Sequence, residues 1–323
     1  MPEGHSVHRI ARQFALHFVG RRVAASSPQG RFAAGAAQLD GHVMTEAMAV
    51  GKQMFLEFDN GLWLRVHLGI YGAWDFSGDI TADATIASSN GRIGQTNQRG
   101  TVVGEHEDSL SSIGAPRRTR LRMAEQERLE TPADTFPPEP IGAVRVRLLT
   151  DATCADLRGP TACDMLTPDE VQAVIAKLGP DPLVDTGRAA EDRFTATVLK
   201  KPTPICLLLM DQSVVSGIGN VYRAEILFRA RLNPHIPGRD LPEATVRALW
   251  KDWVKLLKIG VKNGQMMTMD GLSKSAYDGA MASRADRHWV YHRTGLPCRV
   301  CGTSILMEEI GGRKLYWCPV CQA

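Results

Sequence analysis

Apolar residues first recur at helical spacing at Val7, Ile10, Phe14 and Phe18, while Arg9, Arg12 and Gln13 point elsewhere. This predicts an amphipathic helix over residues 4–19, stopped by Gly20. From Val43 to Trp74 the texture is β. Met54-Phe55-Leu56-Glu57-Phe58 and Leu62-Trp63-Leu64-Arg65-Val66 flank Asp59-Asn60-Gly61, a good hairpin turn. Residues 77–140 lose all sustained periodicity and are rich in Ser, Gly, Thr and Pro. They are expected to be a mobile insertion in a β domain, and their basic run, Arg117-Arg118-Thr119-Arg120-Leu121-Arg122, a solvated segment. Strand texture returns at 144–149.

The second half is helical. Thr167-Pro168-Asp169-Glu170 is a capping box with proline at the first helical position, and Gly179 is expected to close that helix. A short helix is predicted from Thr203 to Met210. The turn Gly217-Ile218-Gly219-Asn220 leads into another, from Val221 to about Arg229. Residues 243–262 bury a stripe of Val246, Leu249, Trp250, Trp253 and Leu257, which makes the tryptophans core and not a base-stacking platform. Two short helices around a glycine turn have a helix-turn-helix outline.

Composition narrows the class. The chain has 323 residues, 44% of them hydrophobic, enough for two or three units. A net charge of +3 permits a polyanion partner without demanding one. No apolar run can span a bilayer, and Arg9, Arg12, Arg21 and Arg22 interrupt the N-terminal segment, so the expectation is a soluble cytoplasmic protein with no membrane partner. Seven cysteines, an odd count, argue against a disulfide framework. Four are spaced Cys298-x2-Cys301, then sixteen residues, then Cys318-x2-Cys321. That spacing predicts one structural zinc ion with four cysteine ligands. Ser304–Ile310 and Arg313–Trp317 would form a hairpin about Gly311-Gly312 inside it. Four thiolates close the shell, so no catalytic metal is expected. Cys154, Cys163 and Cys206 are read as buried small hydrophobes.

Two further features carry candidate chemistry. Removal of the initiator methionine would leave Pro2 as a free secondary amine with Glu3 beside it. Such an amine condenses with an aldehyde carbon to an iminium that stays cationic and serves as an electron sink. Taken alone, the dipeptide is more often an ordinary frayed terminus. The Gly217–Asn220 turn offers helix-start N–H groups and an amide suited to a phosphate, with Lys200 and Lys201 upstream, and it also fits an ordinary turn.

Met-Pro-Glu-Gly, the lysine of Val50-Gly51-Lys52, Gly-Ile-Gly-Asn and a terminal four-cysteine hairpin occur in one order. That order resembles the formamidopyrimidine-DNA glycosylase/endonuclease VIII family over nearly the whole chain except residues 77–140. The resemblance implies an α+β fold: an N-terminal β-sandwich domain with a leading helix (1–155), a helical helix-two-turn-helix domain (156–285) and a zinc-finger β-hairpin (286–323). It implies a monomer that acts on damaged double-stranded DNA as a bifunctional glycosylase and abasic-site lyase. Pro2 would attack the deoxyribose C1′, Glu3 would move protons, and Lys52 would contact phosphate and assist base release. Asn220 and Arg313 would hold phosphates flanking the lesion. A flipped base leaves a hole that must be filled. In endonuclease VIII-like members the loop after the β-hairpin fills it, here Gly69-Ile70-Tyr71-Gly72, with Ile70 and Tyr71 as wedge or, alternatively, as core. The formamidopyrimidine branch uses an arginine and a phenylalanine from a later loop, and Asp156-Leu157-Arg158-Gly159-Pro160 lacks that aromatic. The departure favours oxidised pyrimidines over 8-oxoguanine and formamidopyrimidines. The resemblance also implies strand cutting by β,δ-elimination. Competing readings are a zinc protein that binds damage or abasic sites without cutting, and a basic scaffold.

Overall fold

The computed structural model describes residues 2–80, 112–114, 136–283 and 286–323. The basic run at Arg117–Arg122 lies outside the described residues, as does most of the expected insertion. The chain divides into two compact units, with the boundary between Ala176 and Lys177.

The first unit opens with helix α1 (Gly4–His17), then β1 (Arg22–Ser26), α2 (Ala33–Leu39), β2 (His42–Val50), β3 (Gln53–Phe58), β4 (Trp63–His67) and β5 (Ala73–Gly78). A short β6 (Ser112–Gly114) follows, then β7 (Val144–Leu149), β8 (Thr153–Arg158), β9 (Ala162–Leu166) and α3 (Pro168–Ile175). The strands run in the order β6-β5-β8-β7-β1-β2-β3-β4-β9. Among the described residues, the two halves of this sheet are joined at the pairs Arg22–Val43 and Val23–His42. Both turn apolar positions onto one core: Met54, Leu56, Leu64 and Val66 from one half, Val146, Leu148, Ala155 and Leu157 from the other. That is the sandwich arrangement, with the strand period of two sorting the faces. Helix α1 closes it through Phe14, whose ring meets Trp74 edge-on at 4.8 Å and Phe76 at 5.2 Å.

Two expectations change here. The domain boundary foreseen at 155/156 falls inside β8, which pairs with both β5 and β7, while β9 pairs with β4. The unit therefore runs on to Ala176. Residues 112–114, inside the expected insertion, add an edge strand to β5. The Asp59-Asn60-Gly61 turn forms as read: Gly61 takes φ 77°, and the Asn60 side chain accepts from Leu62 N at 3.1 Å.

The second unit contains α4 (Arg188–Leu199), α5 (Ile205–Leu208), α6 (Asn220–Arg229), α7 (Glu243–Asn263), α8 (Lys274–Ala282), β10 (Leu306–Ile310) and β11 (Arg313–Trp317). Its core is continuous from α4 to the zinc hairpin, so Leu315, Tyr316 and Cys318 pack in the same cluster as Trp250 and Trp253. Those tryptophans are 4% and 1% exposed, core as their spacing predicts. The capping box forms: Glu170 Oε2 accepts from Thr167 N at 2.8 Å. Helix α3 ends at Ile175, however, short of Gly179. Gly179 serves another purpose, because a Cβ there would meet the Val214 backbone at 2.3 Å. A glycine lets the two segments touch.

Glu225, on α6, is fully buried and accepts four hydrogen bonds, from Thr268 Oγ1, Trp289 N, Val290 N and Tyr291 N. Burial pushes its carboxyl above the usual range, and these bonds pull it back. It ties α6 to the segment that leads into the zinc hairpin.

Candidate active site and nucleic-acid interface

Pro2 is buried and directly precedes Glu3, the N-cap of α1, which is 0% exposed. The C-terminal end of α1 is pinned to the start of β2 by the Val19–Met44 bridge, and the helix packs along β2 and β3. Fourteen residues of helix are about 21 Å long, and the strand from Met44 to Val50 rises about 20 Å. At the other end of β2 the chain reverses through Gly51 and Lys52. Val50 pairs with Gln53, so this is a two-residue turn. Gly51 has φ 60° and Lys52 does not share a positive φ, the type II′ pattern that glycine at the first position permits.

The structure adds a residue that the sequence reading missed. His67 ends β4 and pairs with Gln53, one residue from Lys52. Its pKa is lowered by burial and by the charges of Lys52 and Arg65. The signal for it was non-local: no spacing in the sequence connects residues 52 and 67. His5, on the first turn of α1, is fully buried and driven down to about 3 by burial and by Arg9. Cationic and desolvated surroundings of this kind disfavour an added proton on any amine placed among them.

The loop after β4 is a tight turn, with Gly72 N donating to Leu68 O at 2.9 Å. A side chain on Gly69 would strike Thr161 Oγ1 at 1.7 Å. Ile70 and Tyr71 lie at its tip, 38% and 41% exposed, and are not core. The competing loop after β8 passes beside it, Gly159 against the Tyr71 backbone. Its arginine, Arg158, is held by Asp75 at 2.8 Å and is only 20% exposed. Of the two loops, only the first presents large side chains.

In the second unit, Gln212 braces the glycine turn: its Oε1 accepts from Gly217 N at 3.1 Å and its Nε2 donates to Ile218 O at 3.0 Å. Asn220, the first residue of α6, is 7% exposed and donates from Nδ2 to Lys314 O at 2.8 Å. Arg223, a buried residue that the sequence reading also missed, donates to Asn220 Oδ1 and to the same carbonyl. Asn220 is thereby bonded to β11, the strand that starts at Arg313. The Arg313 side chain is exposed and forms no ion pair among the described residues. Lys201 is ion-paired with Asp211 at 3.8 Å, outside this cluster.

The Sγ atoms of Cys298, Cys301, Cys318 and Cys321 lie within 4.8 Å of one another. Two edges of the cluster, Cys298–Cys321 and Cys301–Cys318, are 3.9 and 3.5 Å. A tetrahedron with zinc–sulfur bonds of the usual length has edges of about 3.8 Å, so the donor set fits a structural zinc ion. Cys154, Cys163 and Cys206 stand apart, their thiols pushed up to about 11, 12 and 11 by burial and therefore inert.

Comparison with known proteins accords with this geometry. Residues 1–129 match the formamidopyrimidine-DNA glycosylase N-terminal domain, residues 178–270 its H2TH domain and residues 295–323 the zinc finger found in FPG and IleRS. Endonuclease 8 1 of Mycobacterium tuberculosis is 37% identical over 322 residues, 100% of both chains. The chain belongs to the formamidopyrimidine-DNA glycosylase/endonuclease VIII family. It is a DNA glycosylase of base excision repair with abasic-site lyase activity, and it carries one structural zinc ion. A formamidopyrimidine-DNA glycosylase of Rippkaea orientalis is 35% identical, over 49% of this chain and 54% of its own length. The fold matches that of the Lactococcus lactis Fpg protein solved with an N7-benzyl-Fapy-dG DNA, with a TM-score of 0.68 at 19% identity over 99% of each chain. No helix among the described residues is long and apolar enough to cross a membrane.

Proposed function

We propose that this glycosylase removes oxidised pyrimidines from duplex DNA through a Schiff base on Pro2. The supporting observation is that Pro2 is buried at the head of α1, next to the fully buried Glu3. The Pro2 nitrogen attacks C1′ of the flipped nucleotide. The glycosidic bond breaks, its electron pair leaves with the base, and Glu3 supplies the proton that opens the sugar ring. The resulting iminium acidifies the C2′ proton, whose loss expels the 3′ phosphate, and a second elimination expels the 5′ phosphate. Hydrolysis then frees Pro2. Lys52 neutralises charge on the phosphate side, a gain of positioning and electrostatics. Asn220 keeps a second amide N–H after bonding Lys314 O, and with Arg313 it grips the flanking phosphates. Ile70 and Tyr71 fill the hole left by the base.

The pyrimidine preference rests on the exposed Ile70–Tyr71 tip, on the retracted Arg158, and on full-length similarity to a relative named endonuclease 8 1. Borohydride trapping on duplexes carrying an oxidised pyrimidine or 8-oxoguanine tests it, with the N-terminus checked by mass spectrometry. A covalent adduct on Pro2, formed faster with the pyrimidine lesion, is expected. Protein beginning at Pro2 that binds the duplex but yields no adduct overturns the Schiff base on Pro2.

A further inference from the structure

Helix α7 carries a feature that glycosidic chemistry does not use. Lys251, Lys255, Lys258 and Lys262 are all exposed and follow one another at intervals of four, three and four residues. At 100° per residue they fall within an arc of about 60°, in a line about 16 Å long. From Lys251 onward, no other residue of α7 is exposed. One turn earlier Arg247 is engaged by Glu243, Glu191 and Asp192. Past that point the carboxylates stop: Asp252 is the only acid in the rest of the helix, and Arg229 holds it at 2.7 Å. Among the described residues Lys251, Lys255 and Lys258 have no ion pair.

Folding does not ask for this. Like charges three and four residues apart destabilise a helix, and alternating signs would be better on a solvated face. A face that docks a protein carries apolar or aromatic anchors, and this one exposes only ammonium groups. A straight, single-sign row suits a partner that is itself a regular row of opposite charge. About 16 Å spans the rise of roughly five base pairs of duplex.

We propose that the lysine face of α7 is a second DNA contact, laid along the phosphate backbone of duplex outside the lesion and blind to sequence. This rests on the glycosylase reading, since it takes DNA as the polyanion at hand. Its role is to hold and scan undamaged duplex, which phosphate contacts do without base readout.

The test is the triple variant Lys251→Gln, Lys255→Gln, Lys258→Gln, which keeps helix propensity and removes three charges. Affinity for an undamaged 40-base-pair duplex is measured against salt. Each lost phosphate contact lowers the slope of log K on log salt by about 0.9, so three lower it by about 2.7 and make the fall in affinity from 50 to 200 mM about 40-fold shallower. Thermal unfolding and single-turnover excision from a short lesion duplex at saturating enzyme are expected to match wild type. An unchanged slope while wild type still excises the lesion overturns this proposal alone. Wild type that neither binds duplex nor excises overturns both readings. A variant that loses binding to polyglutamate but keeps its DNA slope reassigns the face to an acidic protein.

Discussion

Replacing Glu225 by alanine should detach the zinc hairpin from α6, and its cost follows from the bonds described above. Val290 N and Tyr291 N donate to Oε1 at 2.9 Å each, and Trp289 N donates to Oε2 at 2.8 Å. The Thr268 hydroxyl also reaches Oε2 but has Arg287 O as a second acceptor at 2.9 Å, so it is not orphaned. Truncation therefore strands two buried N–H groups and the part-buried one of Trp289 at about 1–3 kcal/mol each, and water entering the vacated space brings the expected loss to about 3–5 kcal/mol. That is a large part of the stability of an ordinary domain. Glutamine keeps one oxygen for Val290 and Tyr291 but turns an amide donor toward Trp289 N, which strands one group and costs about 1–3 kcal/mol. Urea unfolding at fixed zinc measures both losses. Hydrogen exchange at Trp289–Tyr291 should speed up in the alanine variant, and duplex affinity should fall as Arg313 loses its mounting. An alanine variant within 1 kcal/mol of wild type, or a glutamine variant as damaged as alanine, refutes the reasoning.

Other outcomes can be checked independently. Lys52→Ala should slow base release by about 100-fold but affect cutting at a ready-made abasic site much less; equal losses on both substrates remove the role assigned to Lys52. Cys298→Ser opens the thiolate shell and should lower the unfolding temperature. It should also weaken duplex binding about tenfold, a loss of about 1.4 kcal/mol; unchanged affinity breaks the link between zinc and Arg313. His5 stays neutral in the fold down to about 3 while the unfolded chain protonates it near 6.5, so the unfolded state binds more protons between those values. Stability is then full above 6.5 and falls by about 1.4 kcal/mol per pH unit below it. His5→Asn should flatten that acid limb in denaturant titrations across pH 4–7, and an identical slope contradicts the assignment.

The sequence by itself determined what local spacing encodes. The cysteine intervals specify the metal site, because two knuckles and a hairpin need little more than their own residues. The stripe from Val246 to Leu257 specifies a buried helix face, and Asp59-Asn60-Gly61 specifies a reversal. Tertiary structure decided whatever depends on partners far apart in the chain. β1 pairs Ala24 with Leu149, and β4 pairs His67 with Gln53, choices set by which faces can be buried together. The same holds for the unit boundary at Ala176, the retraction of Arg158 onto Asp75 and the bond from Asn220 to Lys314. Side-chain periodicity tells a strand or helix which face to bury; only the packed core tells it against what.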